Sequence, residues 1–225
     1  MKKIIALLLA LTCVFALFSC GEEEPDIESQ VNSVIKMYEA SAPTKISTVT
    51  VTKIGNITLN GTYTLVTGKI DGKIATVQQN TYEKLADIES GSTSTITSVI
   101  ETVKESKEFV QDKGVRINGG TWNDGFNFAP VAGDIALGFT YKQLINPEYK
   151  DGVLTCKIAA GNTGVIFGED NAIDSDVVIT IVNDGASITG VTLSYTIPED
   201  DEYPAQEVTI TTTYTYDLEE VTLVK

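Results

Sequence analysis

The chain of 225 residues contains no histidine. That absence excludes imidazole general acid–base catalysis, histidine-containing triads and most zinc and iron sites. Cysteine is nearly as scarce, with three in all. Cys13 and Cys20 belong to the N-terminal apolar run and its end, so Cys156 has no partner and no disulfide framework is expected. Basic side chains are also few: 16 Lys and Arg stand against 31 Asp and Glu, a formal charge of −15. A chain this acidic repels phosphate backbones and anionic headgroups, so no nucleic-acid partner is expected. Phosphate-cradling loops are missing as well. Gly161, Gly164 and Gly168 do not have the G-x-G-x-x-G spacing, and no Walker lysine follows a glycine run. No cofactor is expected.

What is present begins at the N-terminus. Lys2 and Lys3 precede an apolar run over 4–18, broken only by Thr12. This is the pattern of a signal peptide. A membrane-spanning helix needs about 20 apolar residues, and this run is shorter and ends in Ser19-Cys20-Gly21 followed by three glutamates. The tetrapeptide Leu17-Phe18-Ser19-Cys20 resembles the lipobox of bacterial lipoproteins. The resemblance implies that 1–19 is removed and that the Cys20 thiol carries a diacylglyceryl group. It further implies a protein held by that lipid on the outer, extracytoplasmic face of the cell membrane. Residues 20–26 are then an acidic tether, too short and polar to pack, and 27–225 is expected to form a single domain.

Ile27, Val31, Val34, Ile35 and Tyr38 recur at helical spacing and predict one amphipathic helix ending near Pro43. It contains Ser33-Val34-Ile35-Lys36, formally S-x-x-K, but the S-D-N and K-T-G partners of the penicillin-recognising enzymes are absent. From Thr44 the period changes to two. Stretches 44–54, 57–67 and 73–82 predict strands, with Asp71-Gly72 as a two-residue hairpin turn. Asn60-Gly61 reads equally as a turn or as a kink within a strand. Two further strands are expected over 95–103 and 107–117, the second open to a break at Lys113-Gly114.

Residues 119–130 form a long loop carrying Trp122, Phe126 and Phe128, which either plug the core or line a ligand mouth or sugar platform. Ile135, Leu137 and Phe139 alternate as a strand would, 140–145 reads as a short helix capped by Thr140, and 154–159 as a strand. Residues 160–167 suggest a weak helix closed by Gly168. The last third predicts a hairpin, 177–182 and 187–197 about an Asn183-Asp184-Gly185 turn, and a strand over 208–217. In that strand Val208, Ile210, Thr212, Tyr214 and Tyr216 share one face and four threonines the other.

Alternation buries Cys156 with Leu154 and Ile158, a core thiol rather than a nucleophile. The acids at Glu169, Asp170, Asp174 and Asp176, and over 199–202, lack the calcium-loop spacing and read as solvated loops; no metal site is expected. No spacing nominates a catalytic set, so an enzyme is not expected.

The order of elements, with YKDGVLTCKIAAGNTGVIFG over 149–168, VVITIVNDGASITGVTLSYT over 177–196 and VTITTTYTY over 208–216, resembles the LolA/LppX-like lipoproteins. The resemblance implies an α+β, mainly antiparallel β fold: a curved incomplete barrel closed by an N-terminal helix and short helices over an apolar cavity. It implies binding or carriage of a lipid or acyl chain, by a chain expected to act as a monomer. The alternative is a non-enzymatic surface module that binds glycan or protein through Trp122, Phe126 and Phe128.

Overall fold

A computed structural model of the chain describes residues 26–85, 100–124, 138–199, 204–217 and 220–224. Helix α1 (Ile27–Glu39) starts where Asp26 caps it, the carboxylate accepting from Ser29 N at 3.0 Å and lowering its own pKa through that bond. Ten strands follow: β1 (Lys45–Ile54), β2 (Ile57–Ile70), β3 (Lys73–Leu85), β4 (Ile100–Val110), β5 (Gly114–Ile117), β6 (Leu144–Lys150), β7 (Val153–Ile158), β8 (Val177–Asn183), β9 (Ile188–Ile197) and β10 (Gln206–Thr215). A single helical turn, α2 (Gly164–Phe167), lies between β7 and β8.

All ten strands join one antiparallel sheet in the order β5-β4-β3-β2-β1-β10-β9-β8-β7-β6. The protein is thus mainly antiparallel β, with the first and last strands paired at the centre. Every hairpin joins sequence neighbours, and Asp71 and Gly72 take the positive φ, 51° and 79°, that the tight β2–β3 turn demands.

Two expectations are corrected and a third is refined. The break anticipated between Val103 and Lys107 is absent: β4 pairs with β3 continuously from Ile100 to Val110, and Lys104 and Glu105 are polar because that end of the strand is exposed. The chain turns at 111–113, at the break anticipated for Lys113-Gly114, and Asp112 and Gly114 have positive φ. The helix expected over 140–145 is one 3-10 turn, Tyr141–Gln143, boxed by Thr140 and Gln143. Its continuation is strand β6, which tolerates Pro147 because it is an edge strand with an irregular register between Ile145 and Glu148. The weak helix over 160–167 is a 3-10 turn followed by α2, closed by Gly168 at φ 83°. The loop over 90–94, the strand residues 95–99 and Ile135 and Leu137 lie outside the described residues.

Register assigns side chains to two faces. On the first, Leu154, Cys156 and Ile158 of β7 pair with Ile181, Ile179 and Val177 of β8, and these with Val191 and Leu193 of β9. Val31 and Val34 of α1 close over them, forming the larger core. Moving across the sheet, the same face becomes hydroxylated: Thr212 of β10 meets Thr48 of β1, their hydroxyls 3.0 Å apart. On β2 to β5 a second core forms on the opposite face, where Val66 pairs with Val77 and Ala75 with Val110.

Candidate functional site

Beyond the residues that α1 covers, the first face is only partly exposed: Tyr195, Thr52 and Leu59 are half-buried and Val208 is 6 % exposed. Tyr195 of β9, Val208 of β10, Thr52 of β1 and Leu59 of β2 are successive cross-strand partners, a continuous row over four strands. At one end of the row a cavity of about 600 Å³ is lined by Ile166, Phe167, Ile173, Tyr195 and Ile197. At the other end a second cavity, of about 250 Å³, lies over Thr50, Thr52, Leu59, Gly61, Tyr63 and Tyr82. The larger volume is of the size small-molecule sites use.

Local sequence explains the shape. Thr163 is fully buried, and its hydroxyl both receives Ile173 N–H and donates to Ile173 O, each at 2.8 Å. That stitch folds 160–173 into a compact wall carrying Ile166 and Phe167. Phe167 meets Tyr195 edge to face at 5.4 Å, and burial pushes the Tyr195 phenol pKa up, so the ring stays neutral. On the far side Gly61 keeps the trough wide. A Cβ there would meet Thr50 Cβ at 3.6 Å, so a larger side chain would enter the trough without backbone strain. At the rim, on the other face, Glu83 Oε2 accepts from Asn60 N at 2.8 Å and Asn60 Nδ2 at 3.0 Å, while Asn80 adds an amide to the lining. The trough therefore offers apolar surface and hydroxyls, the surroundings of an apolar body with a small polar end.

Of the lipidation and ligand-binding residues expected from sequence, Trp122 is described; Cys20, Phe126 and Phe128 lie outside the described residues. Trp122 is half-buried against the second core, with the Arg116 guanidinium 5.0 Å and the Lys113 ammonium 5.8 Å from its ring centre. The loop is held there by Asn123, whose N–H and C=O both bond Val115 at 2.8 Å. Trp122 therefore packs on the second face, away from the trough.

Other candidates resolve into structure. Cys156 is 2 % exposed, and burial pushes its thiol pKa up to about 12, the core cysteine expected from alternation. Ser33 and Lys36 are both exposed on α1. Asp176 bonds Lys157 Nζ and Ala160 N–H, both at 3.2 Å, which lower its pKa. Among the described residues no three of Cys, Asp and Glu gather as metal ligands, and no helix is long and apolar enough to cross a membrane.

Sequence reasoning missed the trough because its lining comes from separated elements. Gly61, read from sequence as a turn or a strand kink, lies within β2 and lines the smaller cavity.

No protein-family profile matches the chain, and no curated protein matches it. The functional reading rests on the geometry above.

Proposed function

We propose that this chain is a cell-envelope lipoprotein, acylated at Cys20, that binds or carries a lipid or acyl chain along the first face of its sheet. The observation that carries the reading is the row Tyr195-Val208-Thr52-Leu59, which runs along one face of the sheet from one cavity to the other. The strand order supports it. Taken cyclically, the described strands have the order of an up-and-down barrel open between β5 and β6, as expected of a LolA/LppX-like half-barrel with the trough on its inner side. A linear acyl chain needs apolar length more than polar partners, and burying it contributes about 0.8 kcal/mol per CH₂.

The alternative, a glycan- or protein-binding platform of Trp122, Phe126 and Phe128, has less support. The Trp122 ring already packs on the second core and on Arg116.

The test is to purify the Cys20→Ala protein, denature it and analyse an organic extract by mass spectrometry. A lipid in stoichiometric amount is the expected result. A clean extract, together with no uptake of a neutral apolar dye, removes the reading. The anchor is tested separately: Cys20→Ala is expected to move the protein from the membrane to the soluble fraction, and unchanged fractionation contradicts acylation at Cys20.

A further inference from the structure

The second face of the sheet carries a different site, independent of the trough. Its floor is Val66 and Ile70 of β2, Ala75 and Val77 of β3 and Val110 of β4. Residues 220–224 cross this floor. Glu220 bridges Lys69 in parallel, Val221 N–H donates to Lys69 O at 3.4 Å, and Val221, Leu223 and Val224 pack on the apolar side chains.

At the end of the segment one residue is read through both of its main-chain groups. Val224 N–H donates to Glu108 Oε1 at 2.6 Å, and Val224 O accepts from Arg116 Nη2 at 2.7 Å. Glu108 and Arg116 are cross-strand neighbours on β4 and β5, and the guanidinium also donates to both Glu108 oxygens. The Glu108 side chain is 0 % exposed. Together the pair offers Val224 what a neighbouring strand offers a strand residue, one acceptor and one donor, while the floor takes the apolar side chains. This is the chemistry by which an extended peptide is recognised.

The residues are chosen for it. Arg116 is the only arginine in a chain whose 15 other basic residues are lysines, and it stacks on the only tryptophan. A planar guanidinium can serve a carboxylate and a carbonyl at once and stack on a ring, which an ammonium cannot. A buried ion pair stabilises only when its remaining polar atoms are satisfied. Here the peptide group partners of Val224 complete that satisfaction, so the site is incomplete without its segment.

We propose that this face is a binding site for an extended peptide of the pattern Val-x-Leu-Val, and that residues 220–224 of the chain are its resident, exchangeable occupant. Glu108 and Arg116 read the main chain, the floor reads the side chains, and Trp122 covers the guanidinium. Nothing in those contacts depends on the segment being covalently attached, so the same peptide supplied in trans binds when the resident segment is weakened.

Trp122, the only tryptophan, is a reporter inside the site. Leu223→Asp in the full chain is expected to displace the segment and shift the tryptophan emission. Adding the peptide Glu-Val-Thr-Leu-Val-Lys is expected to return the emission saturably at one peptide per chain. A peptide N-methylated at Val224 is expected to bind on the order of 10-fold more weakly, having lost a hydrogen bond to a charged group. Wild type, its site filled, is expected not to respond at the same concentrations. Should Leu223→Asp not fold, as judged by its strand circular dichroism, Leu223→Ala takes its place in the same titration. No saturable response in the folded variant, or equal binding of the N-methylated peptide, overturns the proposal.

Discussion

In β7–β9 the buried side chains point to the face that α1 covers; in β2–β4 the buried apolar side chains of the second core point to the other. One half is a core of 13 buried residues, Val31 and Val34 of the helix among them; the other has a buried ion pair and four buried apolar residues, Val221 of the peptide segment among them. Between them β10, β1 and β2 present threonine hydroxyls and half-buried rings on the first face, and this is where the trough lies. A single sheet can therefore change its wet side along its width, because alternation fixes only that neighbouring residues differ, not which face is covered. The cost is an uneven molecule, and uneven stability can be measured.

The largest expected effect is at the ion pair. Glu108→Ala leaves the Arg116 guanidinium without its buried partner and releases Val224, and is expected to cost about 3–5 kcal/mol in chemical denaturation. Amide exchange should accelerate in β2–β5 while β7–β9 stays protected; a uniform acceleration would break the distinction between the halves. Next is Ile179→Ala in the helix-covered core, expected to cost about 2–5 kcal/mol. Its neighbour Val178 points to the opposite face and is 41 % exposed, so Val178→Ala should stay within about 0.5 kcal/mol. Equal losses at the two positions would refute the assignment of faces.

Cys156 gives a kinetic version of the same comparison. Its thiol is buried and its pKa is pushed up to about 12, so in the folded Cys20→Ala protein it should resist iodoacetamide at pH 8 and react only as the helix-covered half opens. Rapid labelling of folded protein would place that thiol outside the core. The smallest effect is that of pH. Asp26, Asp176 and Asp184 all accept hydrogen bonds that hold their pKa values below the ordinary 3.8, Asp26 through Ser29, Asp176 chiefly through Lys157, Asp184 through the Ala186 and Ser187 N–H groups. Each carboxylate contributes stability that is fully present above the ordinary value and is lost as pH falls through the lowered one, because the unfolded chain takes up the proton first. All three sit on α1 or beside β8, so acidification below pH 4 is expected to loosen the ends of those elements slightly, read by amide exchange. Unchanged exchange there would contradict it.

Much of this was legible from residues. The β-branched alternation of 44–54, 57–67, 73–82 and 177–197 marks strands, and Asp71-Gly72 marks a turn, because local backbone preference decides both. The burial of Cys156 followed from its neighbours. Pairing of β1 with β10 was not legible, since nothing local in either strand names a partner so distant in sequence. β6 was hidden by Pro147, which ends strands except at an edge. Glu108 was hidden by its surroundings: among Lys104, Glu105 and Lys107 it reads as one more solvated charge, and only Arg116 across the strand pair makes its burial possible. The trough needs Leu59, Phe167 and Tyr195 brought together by the full sheet, so composition could suggest a one-sided surface but not where it opens.

The central claim, that the first face receives an apolar ligand, is tested most directly by titrating a neutral apolar fluorophore into wild type and into Gly61→Leu. The added side chain has room at its Cβ and projects into the trough. Saturable uptake by wild type, weakened about 10-fold or more in a Gly61→Leu protein of unchanged strand content, is the expected result. Equal uptake by the two proteins, or none by wild type stripped of lipid, would contradict it.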